Sequence, residues 1–159
     1  MSLTVLAVGK LREKPYREMA DEYLKRLTRY GKTEEIEIPD LPEPAGAGEA
    51  AEEKIREKEG EGLLAKIRPG DHVIAMTIQG RARDSVELSR HLSELRTAGV
   101  GRIVFVVGGS LGLGKNVLAR ADEELSMSRM TFPHQLARVM LLEQLYRAEK
   151  ILAGERYHK

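Results

Sequence analysis

The sequence contains no cysteine in its 159 residues. That excludes a disulfide framework and any thiolate metal site. Long apolar runs are absent too: the longest stretch without a charge, Ile103 to Gly114, is twelve residues. A bilayer span needs about 20 apolar residues, so a transmembrane helix is excluded. The opening Met1–Gly9 has an apolar run with no basic flank before it and no cleavage-like site, so it reads as a first strand and not a signal peptide. No internal repeat, low-complexity tract or interdomain linker interrupts the chain. A single domain over 1–159, located in the cytoplasm, is the expectation.

Charge of one sign is also missing. The net charge is +1, with 26 Lys/Arg against 25 Asp/Glu. A broad non-specific DNA-binding face would be more basic. The balance is uneven along the chain, however. Residues 31–62 carry four Lys/Arg against eleven Asp/Glu, whereas residues 63–159 carry fifteen against ten. The last thirty-one residues hold six basic side chains against three Glu. They are either an ordinary solvated helix face or a local basic surface.

What is present alternates between two periodicities. Leu3–Val8 reads as a buried strand ending at Gly9. Lys14–Tyr30 places Met19, Tyr23, Leu24 and Leu27 at helical spacing. Glu35–Pro39 alternates Glu with Ile as a half-exposed strand would, and Asp40–Gly48 is a loop. Glu49–Ile67 is a charged helix with a break expected near Gly60 and Gly62. Asp71–Ile78 is a strand closed by a Gln79-Gly80 turn. Asp84–Ala98 is a helix with an Asp cap. Arg102–Val107 is the most apolar strand and runs into the glycine-rich Gly108–Gly114. Lys115–Ala121 is a short helix, Leu125–Met127 a short strand, and Pro133 opens a last helix reaching about Ala153. This order implies an α/β fold, a mostly parallel sheet with helices on both faces. Ligands of such sheets bind at the carboxyl ends of the strands. Thr77–Gly80, Gly108–Gly114 and Met127–Phe132 all fall there.

The glycine loop imitates two nucleotide motifs. Gly109-Ser110-Leu111-Gly112-Leu113-Gly114-Lys115 has the glycine and lysine spacing of a P-loop, but Asn116 stands where a hydroxyl should hold magnesium. No downstream apolar strand ends in Asp to support that metal. The dinucleotide fingerprint fails as well, because its third glycine is absent. Four glycines directly after a buried strand are either a plain turn or a place where backbone must approach a ligand.

Larger blocks carry a family likeness. Val107-Gly108-Gly109-Ser110-Leu111-Gly112-Leu113, then Met127-Ser128-Arg129-Met130-Thr131-Phe132-Pro133-His134-Gln135-Leu136-Ala137-Arg138-Val139, then Glu143-Gln144-Leu145-Tyr146-Arg147-Ala148 and Tyr157-His158-Lys159 resemble the ribosomal RNA large-subunit methyltransferase H family. That family belongs to the knotted SPOUT methyltransferases. Leu6–Lys10, Lys58-Glu59-Gly60 and Ile78-Gln79-Gly80 also match, so the likeness spans essentially the whole chain.

The resemblance implies a deep C-terminal trefoil knot, a feature pattern arguments would not suggest because knots are rare. It implies a homodimer acting on the ribosome. The expected reaction moves a methyl group from S-adenosyl-L-methionine to N3 of a pseudouridine in 23S rRNA of the large subunit. It places cofactor contacts at Met76, Gly108, Met127, Ser128, Arg129, Met130, Thr131 and Phe132, and requires no metal. Ser110-Leu111 departs from the Pro-Glu of some relatives. It also orders the C-terminal tail near the cofactor pocket, reaching toward the partner's site.

Chemical sense supports these positions. A cofactor with an adenine and a zwitterionic tail needs a flat apolar slot and backbone hydrogen bonds. Loop backbone can come close at Gly108, and the methionines can give adaptable walls, although each Met also suits ordinary core packing. N3 of the base must lose a proton, which a base or nearby cations would ease. Glu143, Tyr157 and His158 are the candidate catalytic residues, with Tyr157 contacting the base and His158 assisting deprotonation. Glu143 and Arg147 are four apart and pair on a helix, either only with each other or to orient the tail. Arg129, Arg138 and Arg156 are candidates for RNA phosphate, and Arg147 also for substrate. The last helix is apolar on more than one side, which supports a dimer. No metal-ligand spacing connects His72 and His91. Two other readings stand beside this one: a P-loop-like nucleotide hydrolase, and a non-catalytic dimeric RNA-binding module.

Overall fold

A computed structural model describes all residues, Met1–Lys159. The strands are β1 Ser2–Val8, β2 Thr33–Ile38, β3 His72–Ala82, β4 Arg102–Val107 and β5 Glu123–Ser126. The helices are α1 Lys14–Leu27, α2 Glu49–Leu64, α3 Ser85–Thr97, α4 Lys115–Arg120 and α5 His134–Leu152. One parallel sheet has the order β2-β1-β4-β3-β5.

The period-2 geometry of a strand explains why β1 beyond Ser2 and β4 beyond Arg102 are almost wholly apolar. Leu3, Val5 and Ala7 of β1 and Ile103, Phe105 and Val107 of β4 enter the core beneath α1, α3 and α5. Leu6, Val8, Val104 and Val106 enter a second core on the opposite face, with Leu63 of α2 and Val117 of α4. Both faces are covered, so neither strand can afford a polar face. The exception is Thr4, whose hydroxyl donates to Glu34 at 3.3 Å. A buried ion pair closes the amino end of β4. Arg102 donates from Nε and Nη2 to the Asp71 carboxylate at 3.0 and 2.5 Å.

Helix starts follow their local chemistry. Asp84 accepts from the Glu87 N–H at 2.7 Å while the Glu87 side chain accepts from the Asp84 N–H, a complete capping box for α3. Two expectations fail here. No break occurs at Gly60: α2 runs through it. The glycine instead makes room, because a Cβ at 60 would collide with the Asn116 side chain. The Gln79-Gly80 turn is also replaced by continued strand. β5 pairs with Ile74–Met76, shifts register, and pairs again with Arg81 and Ala82, so β3 extends past the expected turn.

The girth of α5 has an internal explanation. Val139, Leu141, Leu142 and Leu145 are buried in the main core, and α5 packs on both α1 and α3. The breadth of its apolar surface therefore gives less independent support for a dimer than the sequence suggested. No helix is long and apolar enough to cross a membrane.

Candidate active site

The carboxyl ends of β4 and β5, with the middle of β3, open into a cavity of about 580 Å³. Three chain segments wall it: Met76–Ile78, Val107–Leu113, and Leu125 to Ala137. Its size suits a nucleoside-sized ligand. A Cβ on Gly108 would stand 2.7 Å from the Gly112 carbonyl carbon, so this bend closes only with glycine. Residues 127–132 take part in no backbone–backbone hydrogen bond. Within that loop, Met130 N–H donates to Ser128 Oγ at 3.0 Å and Ser126 Oγ donates to the Ser128 carbonyl at 2.9 Å. Its other peptide groups are left to solvent or a ligand. Met130 and Ile78, on the rim, are 72% and 47% exposed. Apolar walls with unspent backbone donors and acceptors fit a group that has both an aromatic ring and a polar tail.

The same geometry removes the P-loop reading. Lys115 does not reach into the loop but pairs with Glu53 of α2 at 3.1 Å. The Asn116 side chain donates to the Glu57 carbonyl at 3.0 Å and accepts from the Val117 N–H. Asn116, which has no hydroxyl for magnesium, is spent within the fold, and Lys115 points to α2 and not over the loop.

Beside this cavity lies an open groove of about 510 Å³ between α1, α3, α5 and β5. Leu125 and Met127 line both spaces. Glu143 faces the groove and is a hub. Its Oε1 accepts from Arg147 Nε at 3.0 Å, Arg147 Nη2 at 2.6 Å and the Tyr157 hydroxyl at 3.1 Å. Tyr157 packs edge-on against Tyr146 with centroids 5.0 Å apart, and the Arg147 guanidinium lies 4.6 Å from its ring centroid. Burial, then the Glu143 carboxylate, push the Tyr157 phenol up to about 12. It is a neutral donor at physiological pH. Arg147 Nη1 lies 3.2 Å from His158 Nδ1. A guanidinium can only donate, so Nδ1 accepts and a neutral His158 carries its proton on Nε2.

A family described as "Predicted SPOUT methyltransferase" matches residues 1–158. The chain belongs to the SPOUT methyltransferase family. It is 49% identical over 159 residues, the whole of both chains, to the Ribosomal RNA large subunit methyltransferase H of Shouchella clausii. Identity is 50% to the protein of the same name from Alkaliphilus oremlandii and 51% to Ribosomal RNA large subunit methyltransferase H 1 of Clostridium perfringens strain SM101, again over both full chains. The enzyme is a methyltransferase and requires a methyl donor.

Placed in this SPOUT methyltransferase, the expected cofactor residues Met76, Gly108, Met127, Ser128, Met130, Thr131 and Phe132 all line the one cavity. Arg129 does not line it; its side chain is exposed and makes no ion pair. Glu143, Arg147, Tyr157 and His158 come together outside this cavity, and of the four Glu143 lines the neighbouring groove. Arg156 is exposed and unpaired. One expectation needs correction. Arg138 is 1% exposed and cannot meet a phosphate. It donates to the Gly9 carbonyl at 2.9 Å, Glu35 at 2.8 Å and Glu37 at 2.6 Å, tying α5 to β2. His158 is exposed near the end of the tail, beside Arg147. The sequence reading also missed Met19 and Tyr23, which line the groove. Their helical spacing was visible, but it is equally the signature of core.

Proposed function

We propose that this chain methylates N3 of a pseudouridine in 23S ribosomal RNA, using S-adenosylmethionine, as a cytoplasmic homodimer acting on the assembled ribosome. The observation that carries the reading is the strand-end cavity with its unspent loop backbone at 127–132. The names of the full-length relatives supply the substrate. The deep C-terminal knot is part of the same reading. It is consistent with three distant chain segments walling one cavity.

When bound, S-adenosylmethionine supplies a methyl group already activated by its sulfonium, so no metal is required. Met76, Leu113 and Phe132 would hold its flat ring, and the peptide groups of 127–132 its polar edges. The protein's task is then to place the base in line and ease loss of the N3 proton. The Tyr157 hydroxyl spends its one proton on Glu143, so Tyr157 contacts the base through its ring, while His158 assists loss of the proton and Arg147 adds charge that stabilises the deprotonated imide. Arg129 and Arg156 are free for phosphates. A second copy set against the groove of Met19, Tyr23, Met127 and Met140 would bring its tail to this cavity.

Calorimetric titration tests the cofactor. The reading predicts saturable binding of S-adenosylmethionine and none of ATP with magnesium. Binding of ATP alone would overturn it. Binding of S-adenosylmethionine with no methyl transfer to ribosomes would favour a non-catalytic RNA-binding module.

A further inference from the structure

The fold assembles a second cluster at the opposite, amino-terminal end of β3 and β5. His72 opens β3, His91 lies mid-way along α3, and Glu123 opens β5. They are far apart in sequence and no local motif joins them. In space, His72 Nε2 lies 2.8 Å from Glu123 Oε2, and His91 Nε2 lies 2.8 and 2.7 Å from Oε1 and Oε2. One ligand atom from each residue lies within 4.8 Å of the others. We infer that His72, His91 and Glu123 form a binding site for a divalent transition-metal ion, with Zn²⁺ the best match.

The chemistry selects the ion. Two imidazole nitrogens and one carboxylate suit Zn²⁺ and exclude a preference for Ca²⁺ or Mg²⁺, which take oxygen ligands. Both imidazoles aim the same nitrogen at one centre. The remaining nitrogen of His91, Nδ1, lies 3.7 Å from Glu94 Oε2, an exposed carboxylate beyond hydrogen-bond distance but near enough to favour the site electrostatically. The three side chains keep between 13% and 22% of their surface exposed, which leaves a coordination position open to water. Glu123 is also held in place from both sides. Its neighbour Asp122 accepts from the Val73 N–H at 2.7 Å, and Glu124 accepts from the Thr77 hydroxyl at 2.9 Å. A bound ion would staple α3 and the four-residue edge strand β5 to β3. Since β5 feeds directly into residues 127–132, the ion would brace the cofactor loop from its far end. This site is separate from the methyl-transfer chemistry and stands or falls independently of it.

The test uses untagged full-length protein, stripped with chelator and then given zinc chloride, with bound metal counted after gel filtration. The expected result is one Zn²⁺ per chain and a raised melting temperature. His91→Gln, which keeps a polar side chain of similar size on α3, should weaken binding by about tenfold or more, and Glu94→Gln by less. Cobalt in place of zinc should give the visible absorption of a four- or five-coordinate site in the wild type and lose it in His91→Gln. The inference is overturned if wild-type protein takes up no stoichiometric zinc. It is equally overturned if His91→Gln, still folded by circular dichroism, binds zinc as tightly as wild type.

Discussion

Replacing Arg138 by Met keeps the aliphatic stem in place and removes only the guanidinium. Three hydrogen bonds disappear, to the Gly9 carbonyl and to Glu35 and Glu37. Bonds to charged groups are worth about 1.5–3 kcal/mol each, and breaking a buried ion pair costs roughly 3–5 kcal/mol. Part of the loss is compensated. Arg17 still holds Glu35 at 2.6 Å, and the Leu11 N–H still donates to Glu37 at 3.0 Å. Arg138 Nε has no partner even in the native fold, so nothing is lost there. The lower end applies, about 3 kcal/mol. For a chain of this length that is a fall in Tm of about 6–12 °C. Thermal melts followed by circular dichroism, at matched protein concentration, measure it. The salt dependence of RNA binding should not change, because the residue does not reach the surface. A melting temperature within about 2 °C of wild type, together with a shallower salt slope, would refute the buried-anchor account and return Arg138 to the RNA.

Other predictions concern the site and its supports. Gly108→Ala forces the loop off the Gly112 carbonyl and should weaken S-adenosylmethionine binding by about tenfold or more; overpacking of this kind also costs about 1–3 kcal/mol of stability, a fall in Tm of about 2–12 °C; calorimetry reads the binding. The Tyr157 phenol is raised by burial and Glu143, so its contribution to stability is complete below pH about 10 and is lost as pH rises through about 12; ultraviolet titration of Tyr157→Phe should lack the highest-titrating phenol. Burial opposes ionisation of Asp71, but hydrogen bonds from Arg102 and the Arg68 N–H outweigh it and lower its pKa. That stability is present above pH about 4 and lost as pH falls through the lowered value. Asp71→Asn should therefore flatten the acid limb of the stability–pH profile. Arg129→Gln with Arg156→Gln should reduce the salt slope of RNA binding by about two without altering S-adenosylmethionine affinity.

The parts of the fold legible in the sequence are those set by local periodicity. Arg102–Val107 is a strand with the bounds its apolar run suggests, and Asp84 caps α3 as its spacing with Glu87 requires. The cavity was legible because strand ends in parallel sheets collect ligands, and Gly108–Gly114 and Met127–Phe132 follow β4 and β5; Thr77 and Ile78 also line it, but from within β3. What escaped depends on partners far along the chain. Arg138 meets carboxylates 101 and 103 residues away, and nothing in its own helix distinguishes it from an RNA contact. Gly60 reads as a helix breaker until Asn116 is seen against it. β3 extends past Gln79-Gly80 because β5, too short to stand out, pairs with it twice. His72 and His91 remain two isolated histidines until β5 brings Glu123 between them.

The most direct measurement is transfer of a radiolabelled methyl group from S-adenosylmethionine to ribosomes lacking the modification, with mass spectrometry of the digested 23S rRNA. The account predicts one methyl per large subunit, on N3 of a pseudouridine, slowed by Gly108→Ala at limiting cofactor and abolished by deletion of residues 157–159. No incorporation by protein that binds the cofactor, or a methyl group on a different atom or RNA, would contradict it.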